Sequence, residues 1–226
     1  MDTTIRRKRR AALAALLSGA LAATAAGLAC AATSPAASPG QPVIVVLGDS
    51  LSAEYGLPRD TGWVALLRQR LATERIDYSV ANASVSGDTT SGGRARLPAV
   101  LERLKPAIVV VELGANDALR GVPLATTERN LREIVADAQR ARAKVVLVGM
   151  YVPPNYGPDY TQKFHGIYTK LSKDLRVPLV PFLLAGLENK PEMFQADQIH
   201  PTQQAQGALL DNVWPSLKPL LVKPRG

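Results

Sequence analysis

Ser50 stands in Gly48-Asp49-Ser50-Leu51-Ser52, just after an apolar run, and His200 closes the tetrapeptide Asp197-Gln198-Ile199-His200. A serine hydroxyl becomes a nucleophile at neutral pH only beside a base, and histidine is the usual one. The chain has 2 histidines. His165 falls within a helical stripe with no carboxylate at a recognisable spacing, so it is expected to be structural. His200 has Asp197 three residues before it, across a turn. A carboxylate so placed can take the Nδ1–H, fix the tautomer and leave Nε2 to accept the serine proton. Plainer explanations stand beside this one. A serine after a strand can cap a helix, and Asp197 and His200 can be a loop acid and a histidine near a helix start. The serine segment is also not the G-x-S-x-G elbow, because Ser52 occupies the second glycine position.

Acyl transfer further needs hydrogen-bond donors aimed at the oxygen that becomes negative. Two segments offer them. In Ser86-Gly87-Asp88-Thr89-Thr90 the Gly87 N–H can approach a ligand with no side chain in the way, and in Gly114-Ala115-Asn116-Asp117 the Asn116 amide is a neutral donor. With the Ser50 N–H these make three donors from three loops. Gly-Asp and Asn-Asp are also ordinary turn formers. The case for chemistry therefore rests on where the elements place all four segments.

The elements place them together. Residues 43–47 (VIVVL), 107–113 (AIVVVEL) and 144–150 (KVVLVGM) read as strands buried on both faces, with weaker strands at 78–83 and 177–181. Between them run helical stripes: Trp63, Leu66, Leu67 and Leu71; Leu97, Val100, Leu101 and Leu104; Leu131, Ile134, Val135 and Ala138; Phe164, Ile167, Tyr168, Leu171 and Leu175. A last helix is expected after Pro201. Five strands alternating with helices predict right-handed crossovers and a parallel sheet covered on both sides. Ligands in such folds sit beyond the carboxyl ends of the strands, which is where the serine, glycine and asparagine segments fall.

The chain has 226 residues, 46% hydrophobic and 20% charged, which excludes disorder and suits one α/β domain. Its formal charge of +8 is partly a property of the start, where Arg6, Arg7, Lys8, Arg9 and Arg10 cluster. Without residues 1–31 there remain 22 basic and 18 acidic residues, a net +4. No basic stripe with interleaved aromatics follows, so nucleic acid is not an expected partner.

Residues 1–31 read as a secretory signal: a basic start, an Ala/Leu-rich stretch at 11–28 too poor in large apolar residues for a stable membrane span, and a small-x-small site at Ala29-Cys30-Ala31. Export to the periplasm or medium is expected. The rival is a lipoprotein anchored at Cys30, although Gly27 stands where a lipobox has a large aliphatic residue. Residues 32–42 form a Pro/Ser/Ala-rich linker, and the working domain is expected at 43–226.

Taken together, GDSLS at 48–52, SGDTT at 86–90, GAND at 114–117 and DQIH at 197–200 resemble the four blocks of the SGNH (GDSL-type) hydrolases, in family order. Within that family the chain resembles specifically the thioesterase I, lysophospholipase L1 and arylesterase group, over roughly residues 43–221. The resemblance implies a flavodoxin-like three-layer α/β sandwich with a five-stranded parallel sheet. It implies Ser50 as nucleophile, Asp197 and His200 as its partners, and Ser50, Gly87 and Asn116 as the oxyanion hole. Segments 113–121 and 151–160 resemble the group's acyl-binding loops, where Leu119, Val122, Val152, Pro153 and Pro154 suggest an acyl groove. Two residues depart from the pattern: Ala115, where a second glycine is frequent, and Glu54, which is expected to shift charge near the site.

The expected substrate is a small acyl ester, thioester or lysophospholipid. An alternative on the same residues is deacetylation of carbohydrate or peptidoglycan, and a remoter one is a binding protein that has kept the fold. No cofactor is expected. Two distant histidines and one cysteine do not make a usual zinc site, and no phosphate-binding G-x-x-x-x-G-K-[S/T] loop occurs. The sequence does not set the oligomeric state.

Overall fold

The computed structural model describes residues 40–221. The proposed leader at 1–31, Cys30 within it, and positions 32–39 lie outside the described residues.

Five strands, β1 (Val43–Gly48), β2 (Ser79–Asn82), β3 (Ile108–Glu112), β4 (Lys144–Val148) and β5 (Leu179–Val180), form one parallel sheet in the order β2-β1-β3-β4-β5. This is the flavodoxin-like order, and its topological switch point lies between β1 and β3. The Val/Ile-rich runs explain the centre of the sheet. Ile44–Leu47 and Ile108–Val111 have no exposed side-chain surface, as strands covered on both faces require. The flanking helices are α1 (Trp63–Thr73), α2 (Thr90–Leu104), α4 (Leu124–Arg140), α5 (Pro158–Leu175) and α6 (Gln206–Leu217). Helices α2, α4 and α5 pack side by side as one layer, and α1 packs on α6 as the other. No described helix is long and apolar enough to cross a membrane.

Four of the strands fall within the segments expected from sequence, shorter at their ends, while β1 runs one residue further, to Gly48. The last shrinks most, to Leu179–Val180, because Pro178 and Pro181 on either side have no N–H to give a ladder. The last helix starts later than expected: Pro201 pairs with Phe194 in an isolated bridge, and helical structure begins with a 3-10 turn at Gln203.

Two helices escape the apolar-stripe reading. α2 begins at Thr90, well before Leu97, through the helix-poor Ser91-Gly92-Gly93. Thr89 caps it, its hydroxyl accepting the Gly92 N–H, and a Cβ on Gly93 would overlap the Leu113 side chain. The glycine is there for close packing. The second is α3 (Ala115–Leu119), too short for a stripe, so that Asn116 and Asp117 occupy a helical turn rather than the open loop expected.

Candidate active site

β1 ends at Gly48, and Ser50 sits in the turn beyond it, where the Ala53 N–H donates to the Asp49 carbonyl at 2.9 Å. The next helix starts only at Trp63, so Ser50 caps no helix. Gly48 is needed for close approach rather than for an unusual backbone angle: a Cβ there would lie 2.6 Å from Glu112 Oε2 and 2.8 Å from the Ser52 side chain.

Beyond β5, residues 193–202 form a tight loop. The Thr202 N–H donates to the Met193 carbonyl at 2.7 Å, and the Gln195 N–H donates to the His200 carbonyl at 2.7 Å. Within it, Asp197 Oδ1 accepts the N–H groups of Ile199 and His200 at 2.9 and 3.0 Å. Its Oδ2 lies 2.7 Å from His200 Nδ1, and His200 Nε2 lies 2.8 Å from Ser50 Oγ. The His200 N–H, then the His200 ring and the Ile199 N–H, hold the Asp197 carboxyl down at about 2. An ionised carboxylate can only accept, which places the ring proton on Nδ1 and leaves Nε2 free to accept from the serine hydroxyl.

Ser50, Gly87, Asn116 and His200 all line one cleft of 1280 Å3. Gly87 adopts φ +77° and its carbonyl is held by Arg120 Nη2 at 2.8 Å. Among the described residues, no protein acceptor meets the N–H of Ser50 or of Gly87, so both remain free to donate to a ligand. The Asn116 amide spends one hydrogen on Asp49 Oδ2 at 3.0 Å and keeps the other. Asp117, buried beside it, accepts the Thr90 N–H at 2.8 Å and the Thr90 and Thr127 hydroxyls. This buried carboxylate ties the Gly87 loop to α3 and so sets the spacing of two donors.

Beneath Ser50 runs a buried polar layer to which the sequence reading assigned no part. Asp49 and Glu112 are 1% and 2% exposed. Glu112 Oε2 accepts the Asp49 N–H at 3.2 Å and the Ser52 hydroxyl at 2.7 Å, and Ser52 Oγ accepts the Trp63 indole N–H at 3.2 Å. Burial pushes the Asp49 carboxyl up to about 6, against hydrogen bonds that lower it. Burial, then the Asp49 charge, push Glu112 well above the carboxylate range. Arg96 is a further support: its Nε donates to Asp88 at 2.7 Å and its other nitrogens to the Ala83 and Gly48 carbonyls, binding together the ends of β1 and β2. Residues from the ends of two strands, Asp49 and Glu112, and one from a helix, Arg96, meet only in three dimensions and give no spacing signal in the chain.

The rest of the cleft wall is mostly apolar. Leu119, Val152 and Pro153 line it as the sequence suggested, joined by Met150, Phe182 and Leu184 from beyond β4 and β5. Val122 is not among the lining residues; its N–H donates to the Asp117 carbonyl in the turn after α3. The end of the 151–160 segment is helical, since α5 starts at Pro158, and Pro154–Tyr156 forms a 3-10 turn before it. Glu54 does not bring its charge to the cleft: its carboxylate accepts the Asp60 and Gly62 N–H groups at 3.0 and 2.8 Å, bracing the loop before α1. His165 packs flat on Tyr151, ring centroids 3.9 Å apart. Among the described residues no group of three or more His, Cys, Asp or Glu side chains is arranged to hold a metal ion.

A parallel sheet of this order, with these four segments at its carboxyl edge, has the SGNH hydrolase fold. The model of the GDSL-like Lipase/Acylhydrolase family matches residues 46–208, and the chain belongs to that family and is an enzyme of the acylhydrolase class. It is 52% identical over 178 residues to the esterase TesA of Pseudomonas aeruginosa, covering 79% of this chain and 89% of that one. It is 43% identical over 178 residues to thioesterase 1/protease 1/lysophospholipase L1 of Escherichia coli, covering 79% and 84%. Among solved structures, that of TesA superposes with a TM-score of 0.77 over 80% of this chain and 100% of the other. The psychrotrophic esterase EstA of Pseudoalteromonas, inhibited by monoethylphosphonate, superposes with a TM-score of 0.75 at 41% identity, over 78% and 97%.

Proposed function

We propose that the chain hydrolyses acyl esters and thioesters, aryl esters and lysophospholipids among them, through a Ser50–His200–Asp197 triad and an acyl-enzyme. The observation that carries this is the unbroken hydrogen-bonded chain, 2.8 Å from Ser50 Oγ to His200 Nε2 and 2.7 Å from Nδ1 to Asp197, opening into an apolar-walled cleft. Ser50 Oγ attacks the carbonyl carbon while its proton passes to Nε2, and the carbonyl electron pair moves onto oxygen. The Ser50 and Gly87 N–H groups and the free hydrogen of the Asn116 amide receive that oxygen. Collapse re-forms the carbonyl and breaks the bond to the leaving alcohol or thiol, which departs with the proton from Nε2. Water, deprotonated by the same nitrogen, then releases the acid and frees Ser50. Asp197 keeps the imidazole in one tautomer and stabilises the imidazolium.

The apolar wall formed by Leu119, Val152, Pro153 and their neighbours suits an acyl chain better than a sugar, and the names of the relatives agree with this reading. Inhibition of EstA by a phosphonate accords with a nucleophilic serine in that protein. The testing experiment is fluorophosphonate labelling followed by peptide mapping. Modification at Ser50, absent in Ser50→Ala, is expected; a protein that stays unlabelled while hydrolysing p-nitrophenyl esters would overturn the assignment.

For the start of the chain we propose export, with cleavage after Ala31 and release of the enzyme to the periplasm or medium. The basic-then-apolar order of residues 1–31 supports it. The N-terminal sequence of the mature protein tests it: Ala32 is expected, and a lipid-modified Cys30 as first residue would mean an anchored lipoprotein instead.

A further inference from the structure

Two large apolar side chains stand exposed on the His200 side of the cleft: Tyr55 is 50% exposed and Ile199 48%. The Tyr55 ring lies 4.4 Å from the His200 ring, centroid to centroid, tilted by 38°. The two are held by a shared side chain. Gln195 Nε2 donates to the Tyr55 carbonyl at 2.9 Å and to the Pro201 carbonyl at 3.2 Å, while the Gln195 N–H donates to the His200 carbonyl. Tyr55 therefore keeps its place over the imidazole with half its surface open.

The chemistry of acyl transfer says what meets that surface. The proton taken from Ser50 returns from the same Nε2 to the leaving atom, which must pass within about 3 Å of that nitrogen. Whatever is attached to the leaving atom then lies beside the His200 ring. The carbonyl oxygen is drawn the other way, to Gly87 and Asn116, and the acyl chain takes the wall of Leu119 and Val152. The alcohol side of the ester is left for Tyr55 and Ile199.

We infer that Tyr55 and Ile199 form a leaving-group subsite that favours planar aromatic alcohols, the substrate ring packing on Tyr55 with Ile199 at its flank. The inference rests on the ester-hydrolase reading above and adds a selector for the alcohol to it.

The test compares phenyl butyrate with hexafluoroisopropyl butyrate, which gives the same acyl-enzyme and a comparably acidic alcohol without a ring. In Tyr55→Leu, kcat/KM for the phenyl ester is expected to fall about fivefold more than for the fluoroalkyl ester, the worth of one aromatic pair. Tyr55→Phe is expected to keep the wild-type ratio, because the ring face is the platform. An unchanged ratio in Tyr55→Leu, whether both rates fall or neither does, would overturn the subsite and leave Tyr55 at most a prop for His200. Loss of the ratio in Tyr55→Phe would overturn it too. A wild-type enzyme inactive on both esters would remove the hydrolase reading itself, an outcome plainly different from the other two.

Discussion

The Asp49 carboxylate accepts the side-chain amide of Asn116 at 3.0 Å, across the switch point between β1 and β3. Its other oxygen accepts the Leu51 N–H at 3.0 Å. One buried anion thus fixes both the turn that carries Ser50 and the amide that faces the cleft. A donor held in place before reaction costs no reorganisation when charge develops. Asn116→Ala is expected to lower kcat by about a hundred- to a thousandfold with a much smaller change in KM. Asp49→Asn, which leaves one acceptor where two are needed, is expected to lose about tenfold or more. Steady-state kinetics on a p-nitrophenyl ester decide it, and an Asn116→Ala enzyme within threefold of wild type would sink the donor role.

Asp197 is ionised throughout the working range. Its carboxyl, held at about 2 against an ordinary 3.8, supplies stability that is present above the ordinary value and lost only as pH falls through about 2. Acid inactivation at milder pH therefore does not come from this residue. Asp197→Asn is expected to lower kcat/KM about a thousand- to ten-thousandfold, and to do so at every pH between about 5 and 8. A variant that recovered full activity at the alkaline end would show that Asp197 only tunes the base.

Glu112 has the opposite sign. Burial raises its carboxyl above 4.5, so the stability it contributes is complete below that value and declines as pH rises toward its folded-state value. Glu112→Gln keeps an oxygen for Ser52 and Asp49 and cannot ionise. The urea midpoint of Glu112→Gln is expected to rise relative to wild type between about pH 4.5 and pH 8. A difference that stays flat or shrinks over that interval would mean that Glu112 is not held neutral.

Arg120 touches the Gly87 loop from outside, its guanidinium exposed and its Nη2 on the Gly87 carbonyl. Arg120→Ala is expected to reduce kcat several-fold by loosening one donor, with the melting temperature moved by no more than an exposed polar substitution usually moves it. Equal kinetics in the two proteins would show that the Asp117–Thr90 tie is enough to hold the loop.

The legible parts of the sequence were those in which one short stretch carries its own logic. The apolar runs at 43–47 and 107–113 marked the central strands because a doubly covered strand has no polar face to hide. Asp197 and His200 stand three apart across a turn, and the structure brings that pair to Ser50. What escaped depends on distant partners. Asp49 meets Glu112 only because β1 pairs with β3, and Arg96 reaches Gly48 only because α2 packs back along β1. The place of Gly93 within α2 depends on Leu113, whose side chain packs against it from the end of β3. Tyr55 gave no sign because nothing in its neighbours along the chain points to His200.

His200 follows the last strand, and its loop is secured by what comes after. Gln206, buried at the start of α6, accepts the Trp63 N–H at 3.0 Å and donates to the Thr202 carbonyl at 3.2 Å, so that α6 clasps the beginning of α1 and braces the end of the histidine loop. On the proposed triad, catalytic competence is therefore acquired at the end of synthesis: a nascent polypeptide can carry the residues of all five strands and its serine without yet having a base to arm it. A chain released after residue 205 would carry every reactive group and still be expected to leave a fluorophosphonate untouched.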